Sequence, residues 1–159
     1  MKKILIAVDG SPASTEALEF GLDLAAEEAA RALVVHVAPA IDTMPAVGFG
    51  MSHGAVVHEL TEHDRAPLDE AKAVAAELGV AVTTALLRGP AVRELTAIAD
   101  EQDVDLIVIG SRGHGALTTA LLGSVSLGVL RHTQRPVPIV RGHAAEPAAS
   151  EERAPAVLA

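Results

Sequence analysis

The stretch Gly110-Ser111-Arg112-Gly113, followed nine residues later by Gly123-Ser124-Val125-Ser126, holds the most chemically suggestive spacing in the chain. Glycines let a backbone turn sharply and come into contact with a ligand. A loop of free N–H groups feeding a helix N-terminus attracts anions, because the donors and the helix dipole point the same way. Ser124 and Ser126 add hydroxyl groups. Such a loop can hold a phosphate with little basic charge. Arg112 and His114 sit inside it, and either could touch a terminal phosphate or face solvent. A second candidate is Asp9, in Val8-Asp9-Gly10-Ser11. Its carboxylate could meet a ligand, cap the next helix or close a turn.

These residues need elements to position them. Ile4 to Val8 is a short apolar run, which predicts a buried strand ending in a turn. Ser11-Pro12 reads as an N-cap and first helical position. Apolar residues then recur at helical spacing to about Ala30. Further buried strands are predicted over 33–37, 80–87 and 106–109, with a last one over 136–140. Helices are expected over 67–78, from Val92 to Ala99, and from Ser124 to about Thr133. The first of these has an alternative in which it begins earlier and contains Pro67 as a kink. Ser124 is read as an N-cap. Residues 39–60 lack clear periodicity and read as a long loop with a helical piece, a candidate cover for a site. The order β-α-β-α-β-α-β-α-β implies an α/β domain, a parallel sheet with helices on both faces. The expected domain covers 1–142. From 143 to 159 the composition of Ala, Pro and Glu predicts a disordered tail.

Composition removes whole classes of function. The 159 residues include no Cys, Trp or Tyr and only two Phe, so disulfides, thiolate metal sites and Cys nucleophiles are excluded. A net charge of −9 disfavours nucleic acid and anionic membranes as partners. No apolar run is long enough to span a bilayer. Lys2 and Lys3 precede an apolar stretch that Asp9 interrupts too early for a signal peptide. The expectation is a cytoplasmic protein.

Rival motifs fall short. A Walker A loop needs a Lys after its glycines, and Lys2, Lys3 and Lys72 lie in no such context. Gly48, Gly50 and Gly54 follow no strand. His53, His58 and His63 are five apart, which does not put them on one helical face, so no metal site is expected. His36 inside a strand reads as a packed histidine. No catalytic triad or dedicated general base is visible, so no catalytic residue is assigned.

The spacing G-x2-G-x9-G-S resembles the nucleotide-binding signature of the universal stress protein family. Val8-Asp9-Gly10-Ser11, the stretch 105–113 and Arg135-Pro136-Val137-Pro138-Ile139-Val140 are similar to the same family, which extends the resemblance over about residues 2–141. It implies a five-stranded parallel sheet of order 3-2-1-4-5, Rossmann-like and of the adenine nucleotide alpha hydrolase-like kind. It also implies a site for ATP, ADP or AMP, with Mg2+ as an accompanying ion. Asp9 would contact base or ribose, and Val37 would meet adenine through its backbone. Gly110, Gly113, Gly123, Ser124 and Val125 would hold ribose and phosphates, with Ser126 adding a contact. In a sheet of that order, ligands bind beyond the strand ends where the order reverses, between strands one and four. Asp9 and Gly110 end those two strands.

The implied function is a nucleotide-dependent regulatory module in stress response, with an unidentified protein partner. The alternatives are a slow ATP hydrolase or phosphotransferase, and an interaction protein without nucleotide. The resemblance also implies a homodimer through the last strand, Val137 to Val140. Pro136 and Pro138 share a parity and lack N–H groups. Both are expected to face away from strand four, leaving a thin outer edge on which only Val140 keeps its donor.

Overall fold

The computed structural model describes residues 1–42, 56–57, 60–113 and 122–142. Its elements, in chain order, are β1 (Lys3–Ala7), α1 (Pro12–Glu27), β2 (Arg31–Ala38), β3 (Ile41–Asp42) and β4 (Val56–Val57). They continue with α2 (Glu62–Glu77), β5 (Val82–Arg88), α3 (Ala91–Glu101), β6 (Leu106–Gly110), α4 (Ser124–His132) and β7 (Ile139–Val140). The main sheet runs β5-β2-β1-β6-β7 with every pair parallel. Counting its strands alone, the order is 3-2-1-4-5.

Alternation along the strands sorts the core into two layers. Ile4, Ile6 and Val8 pack with Ala17, Leu18 and Leu22 of α1 and with Leu68 and Ala71 of α2. Leu5, Ala7 and Ile107 point the other way, onto Leu95 and Ala99 of α3 and Val129 of α4. The central strands β1 and β6 are thus buried on both faces, which is why they read as unbroken apolar runs. Helix α1 lies close enough to the sheet that a Cβ on Gly21 would fall 2.6 Å from the Ile6 Cδ1 atom.

Helix α2 takes the earlier of its two expected starts and contains Pro67. Thr61 caps it: its N–H and its hydroxyl both donate to the Asp64 carboxylate, at 2.7 and 2.9 Å. That pairing allows Asp64 to be buried. The 39–60 region contains an antiparallel ribbon of β3 with β4, which the sequence reading did not foresee. The helical piece expected there and the tail from 143 onward fall outside the described residues.

The last strand corrects the expectation about its prolines. The N–H groups of Ile107, Ile109 and Ser111 donate to the carbonyls of Pro136, Pro138 and Val140. In a strand, a residue's carbonyl and its amide position face the same side. Pro136 and Pro138 therefore face β6, not outward. The contact survives because the proline carbonyls still accept, and the missing proline donors restrict the ladder to Ile139–Val140. The outer side instead presents Val137 and Ile139, with their N–H and C=O groups intact.

Candidate functional site

A cleft of about 560 Å3 opens at the carboxyl ends of β1, β2 and β6. That is a volume suited to a small organic ligand. It lies where the strand order reverses between β1 and β6, as open α/β sheets dictate. Asp9, Val37, Gly110, Arg112, Gly113, Gly123, Ser124, Val125 and Ser126 all line it. His114 lies outside the described residues.

Asp9 follows the end of β1, and two contacts help to place its carboxylate. Oδ1 accepts the Ser11 N–H at 2.9 Å, closing an Asx turn into α1. Oδ2 rests on Gly113, where a Cβ would lie only 2.5 Å away. The turn-closing reading is realised, and the same residue lines the cleft. The backbone N–H of Asp9 meets the Ser14 hydroxyl at 3.3 Å, and that hydroxyl donates to the Ser11 carbonyl at 2.9 Å.

The glycines of the loop differ in what they permit. Gly110 packs on the first turn of α1, and a Cβ there would fall 2.6 Å from the Ala13 carbonyl oxygen. Its absence of a side chain serves packing. Gly113 gives Asp9 its place. Gly123 is the N-cap of α4, with φ −63° and ψ 154°. This moves the cap one residue earlier than the expected Ser124, which becomes the first helical residue. The Gly123 N–H is held by the Ser111 carbonyl at 2.8 Å, and its own carbonyl accepts the first helical bond from Leu127 at 3.0 Å. No side chain caps this end. The N–H groups of Ser124, Val125 and Ser126 precede any intrahelical acceptor, and these residues border the cleft.

Ser126 is buried, and its hydroxyl donates to the Gly110 carbonyl at 2.7 Å. Its proton is therefore used in tying α4 to the end of β6, and toward a ligand the oxygen can only accept. His36 also lines the cleft, which the packed-histidine reading did not foresee. Its Nδ1 donates to the Val8 carbonyl at 2.8 Å. Sequence reasoning further missed the apolar wall made by Val35, Ala91, Leu95 and Ile109. These residues carried a signal, since Leu95, Val35 and Ile109 share one core layer. Nothing in their spacing says where that layer opens. Of the three spaced histidines, His63 lies exposed on α2, while His53 and His58 lie outside the described residues. Among the described residues no three His, Asp or Glu side chains gather as metal ligands. No helix of those residues is long and apolar enough to cross a membrane.

Comparison with known proteins places this geometry in context. The sequence model of the universal stress protein family matches residues 1–141. The universal stress protein MJ0531 of Methanocaldococcus jannaschii is 34% identical over 142 residues, covering 88% of this chain and 82% of the relative. YxiE of Bacillus subtilis, another universal stress protein, is 34% identical over 145 residues, covering 87% and 98%. Among solved structures, a universal stress protein in complex with cAMP superposes with a TM-score of 0.66. It is 26% identical and covers 89% of this chain and 98% of its own. An Archaeoglobus fulgidus universal stress protein in complex with dAMP, 22% identical with a TM-score of 0.61, shares the fold over 88% of this chain and 98% of its own.

Proposed function

The chain belongs to the universal stress protein family, and from that membership we propose that its cleft binds an adenine nucleotide as the signal of a regulatory module in stress response. The observation that carries this reading is the meeting of Asp9, Gly113 and the uncapped start of α4 around one cleft with an apolar wall. An adenine is flat and apolar on its faces, and suits the wall of Val35, Ala91 and Leu95. Its edge can pair with the backbone at Val37. Asp9 accepts hydrogen bonds from ribose or base. The N–H groups of Gly113, Ser124 and Val125 suit phosphate, Arg112 shares their cleft lining, and His114 is the next candidate along the sequence for a terminal phosphate. Mg2+ would accompany a di- or triphosphate by neutralising its charge. The family relative solved with cAMP supports adenine recognition at this fold.

The proposed working form is a cytoplasmic homodimer paired through the outer edge of β7. Its support is the complete row of backbone groups at Val137 and Ile139, since such an edge is a template for another strand. Calorimetric titration with ATP, ADP, AMP and cAMP, each with and without magnesium, tests the binding reading. One saturable site per chain for at least one of them is expected. Absence of binding for all four at millimolar concentration refutes it.

A further inference from the structure

Three consecutive carbonyls, from Gly110 at the end of β6 to Arg112 in the loop after it, are each held, two by the start of α4 and one by the β1–α1 turn. Gly110 C=O accepts the Ser126 hydroxyl at 2.7 Å. Ser111 C=O accepts the Gly123 N–H at 2.8 Å. Arg112 C=O accepts the Ser11 hydroxyl at 3.2 Å. A trans peptide is planar, so the carbonyl of one residue and the N–H of the next point in opposite directions. Fixing a carbonyl therefore aims the following N–H. The first of the three illustrates this: with Gly110 C=O turned to Ser126, the Ser111 N–H points to Val140 O at 2.6 Å.

The third peptide, Arg112–Gly113, is the one that borders the cleft and ends in glycine. Glycine tolerates most backbone conformations, so such a peptide can flip unless something holds it. What holds it is Ser11, a residue of the β1–α1 turn that is 2% exposed. Ser11 is saturated at every polar atom. Its N–H holds Asp9 Oδ1, and its carbonyl accepts from Ser14 and Thr15 at 2.9 and 3.0 Å. Its hydroxyl accepts the capping N–H of Ser14 at 3.3 Å while donating to Arg112 C=O. One residue thus fixes both groups that meet at the cleft mouth: the Asp9 carboxylate through its N–H, and the Arg112–Gly113 peptide through its hydroxyl.

We propose that Ser11 is a positioning residue that locks the Arg112–Gly113 peptide so that the Gly113 N–H is aimed for a ligand phosphate. The ligand part of this inference rests on the adenine nucleotide reading above; the locking part stands on the ligand-free protein alone. Ser11 touches no nucleotide in this scheme. It acts through the peptide it holds and links the N-cap of α1 to the geometry of the loop.

Two variants separate the roles. Ser11→Gly keeps the N–H for Asp9 and the carbonyl for α1, and glycine is an acceptable N-cap, but the hydroxyl is gone. Ser11→Thr keeps the hydroxyl. The first readout is nuclear magnetic resonance of the ligand-free protein at the Gly113 amide. Ser11→Gly should show microsecond-to-millisecond exchange there, absent from the wild type and from Ser11→Thr. The second is calorimetric titration with ATP and magnesium. Ser11→Gly should bind about five- to tenfold more weakly, the loss of one aimed hydrogen bond, and Ser11→Thr should recover the wild-type affinity. An unchanged Gly113 amide in Ser11→Gly overturns the locking role. Exchange at Gly113 with undiminished ATP affinity overturns the link to the ligand. If the wild type binds none of ATP, ADP, AMP and cAMP, the nucleotide reading fails, and the amide measurement still decides whether Ser11 locks the peptide.

Discussion

Replacing Gly113 by alanine is a sharp test of how the cleft is built. The new Cβ would lie 2.5 Å from Asp9 Oδ2, against ordinary contact beginning at 3.4 Å, so the carboxylate must retreat by about 0.9 Å. The clashing atom is the end of a rotatable side chain, and the next nearest, Asp9 Cγ, is already at 3.7 Å. The fold can therefore absorb the change by turning Asp9. That rotation breaks the Asx turn bond to the Ser11 N–H, worth about 1 kcal/mol. A chain of this size should lose about 2–4 °C in Tm as a result. The effect on binding is larger, because a hydrogen bond from a ligand to a carboxylate is worth about 1.5–3 kcal/mol, roughly ten- to hundredfold in affinity. The assay is titration calorimetry with ATP and magnesium, beside a melting curve. Because Gly113→Ala acts through Asp9, it should add little in an Asp9→Ala background. A folded Gly113→Ala protein with wild-type affinity, or additive losses in the double variant, would refute this reading.

Other expectations follow from neighbouring contacts. Gly110→Ala should destabilise the fold by about 2–3 kcal/mol, because its Cβ meets backbone atoms of Ala13 that cannot rotate away; a near-native melting temperature contradicts the packing. At the opposite end of the sheet, the backbone N–H groups of Lys2 and Lys3 donate to the Asp105 carboxylate at 2.6 and 2.9 Å and hold its pKa below the ordinary 3.8. A depressed folded pKa means the unfolded chain binds the proton first. Asp105 thus contributes stability above its unfolded pKa and loses it as pH falls through the folded one. Denaturant unfolding should show a shallower acid slope in Asp105→Asn, and identical slopes would contradict this linkage. At micromolar concentration, light scattering should report a dimer that Ile139→Pro weakens, since that change removes an outward N–H and leaves the carbonyls facing β6 intact. A monomeric wild type rules the edge pairing out.

Much of this architecture was legible because the physics is local. Ile4 to Val8 and Leu106 to Ile109 are apolar throughout, as strands buried on both faces must be. Ser11-Pro12 announced the start of α1, and its hydroxyl is the cap. The place of the cleft followed from the strand order that the family resemblance implied, with Asp9 and Gly110 at the ends of adjacent strands. What escaped the sequence depended on partners distant in the chain. The parity of Pro136 and Pro138 puts them on one side of a strand, yet parity cannot say which side. The expectation assumed that the inner side needs donors, whereas carbonyls suffice. The ribbon of β3 and β4 has two residues in each strand, too few for any periodicity. Ser124 has the better capping side chain, but the Ser111 carbonyl holds the Gly123 N–H and moves the cap back one residue. The hydroxyl of Ser11 reaching Arg112, 101 positions away, leaves no trace in sequence spacing.

The absence of Trp, Tyr and Cys makes the chain nearly transparent in the near ultraviolet, so a bound adenine can be seen directly. The most direct test is equilibrium dialysis of the purified protein against ATP and magnesium, read by absorption in both compartments. The account predicts an excess adenine band with the protein, saturating at one nucleotide per chain and displaced by unlabelled adenine nucleotide when the ATP is isotopically labelled. Equal absorption on both sides at millimolar ATP, and again with ADP, AMP and cAMP in its place, with the protein folded, would contradict the claim that this cleft is an adenine nucleotide site.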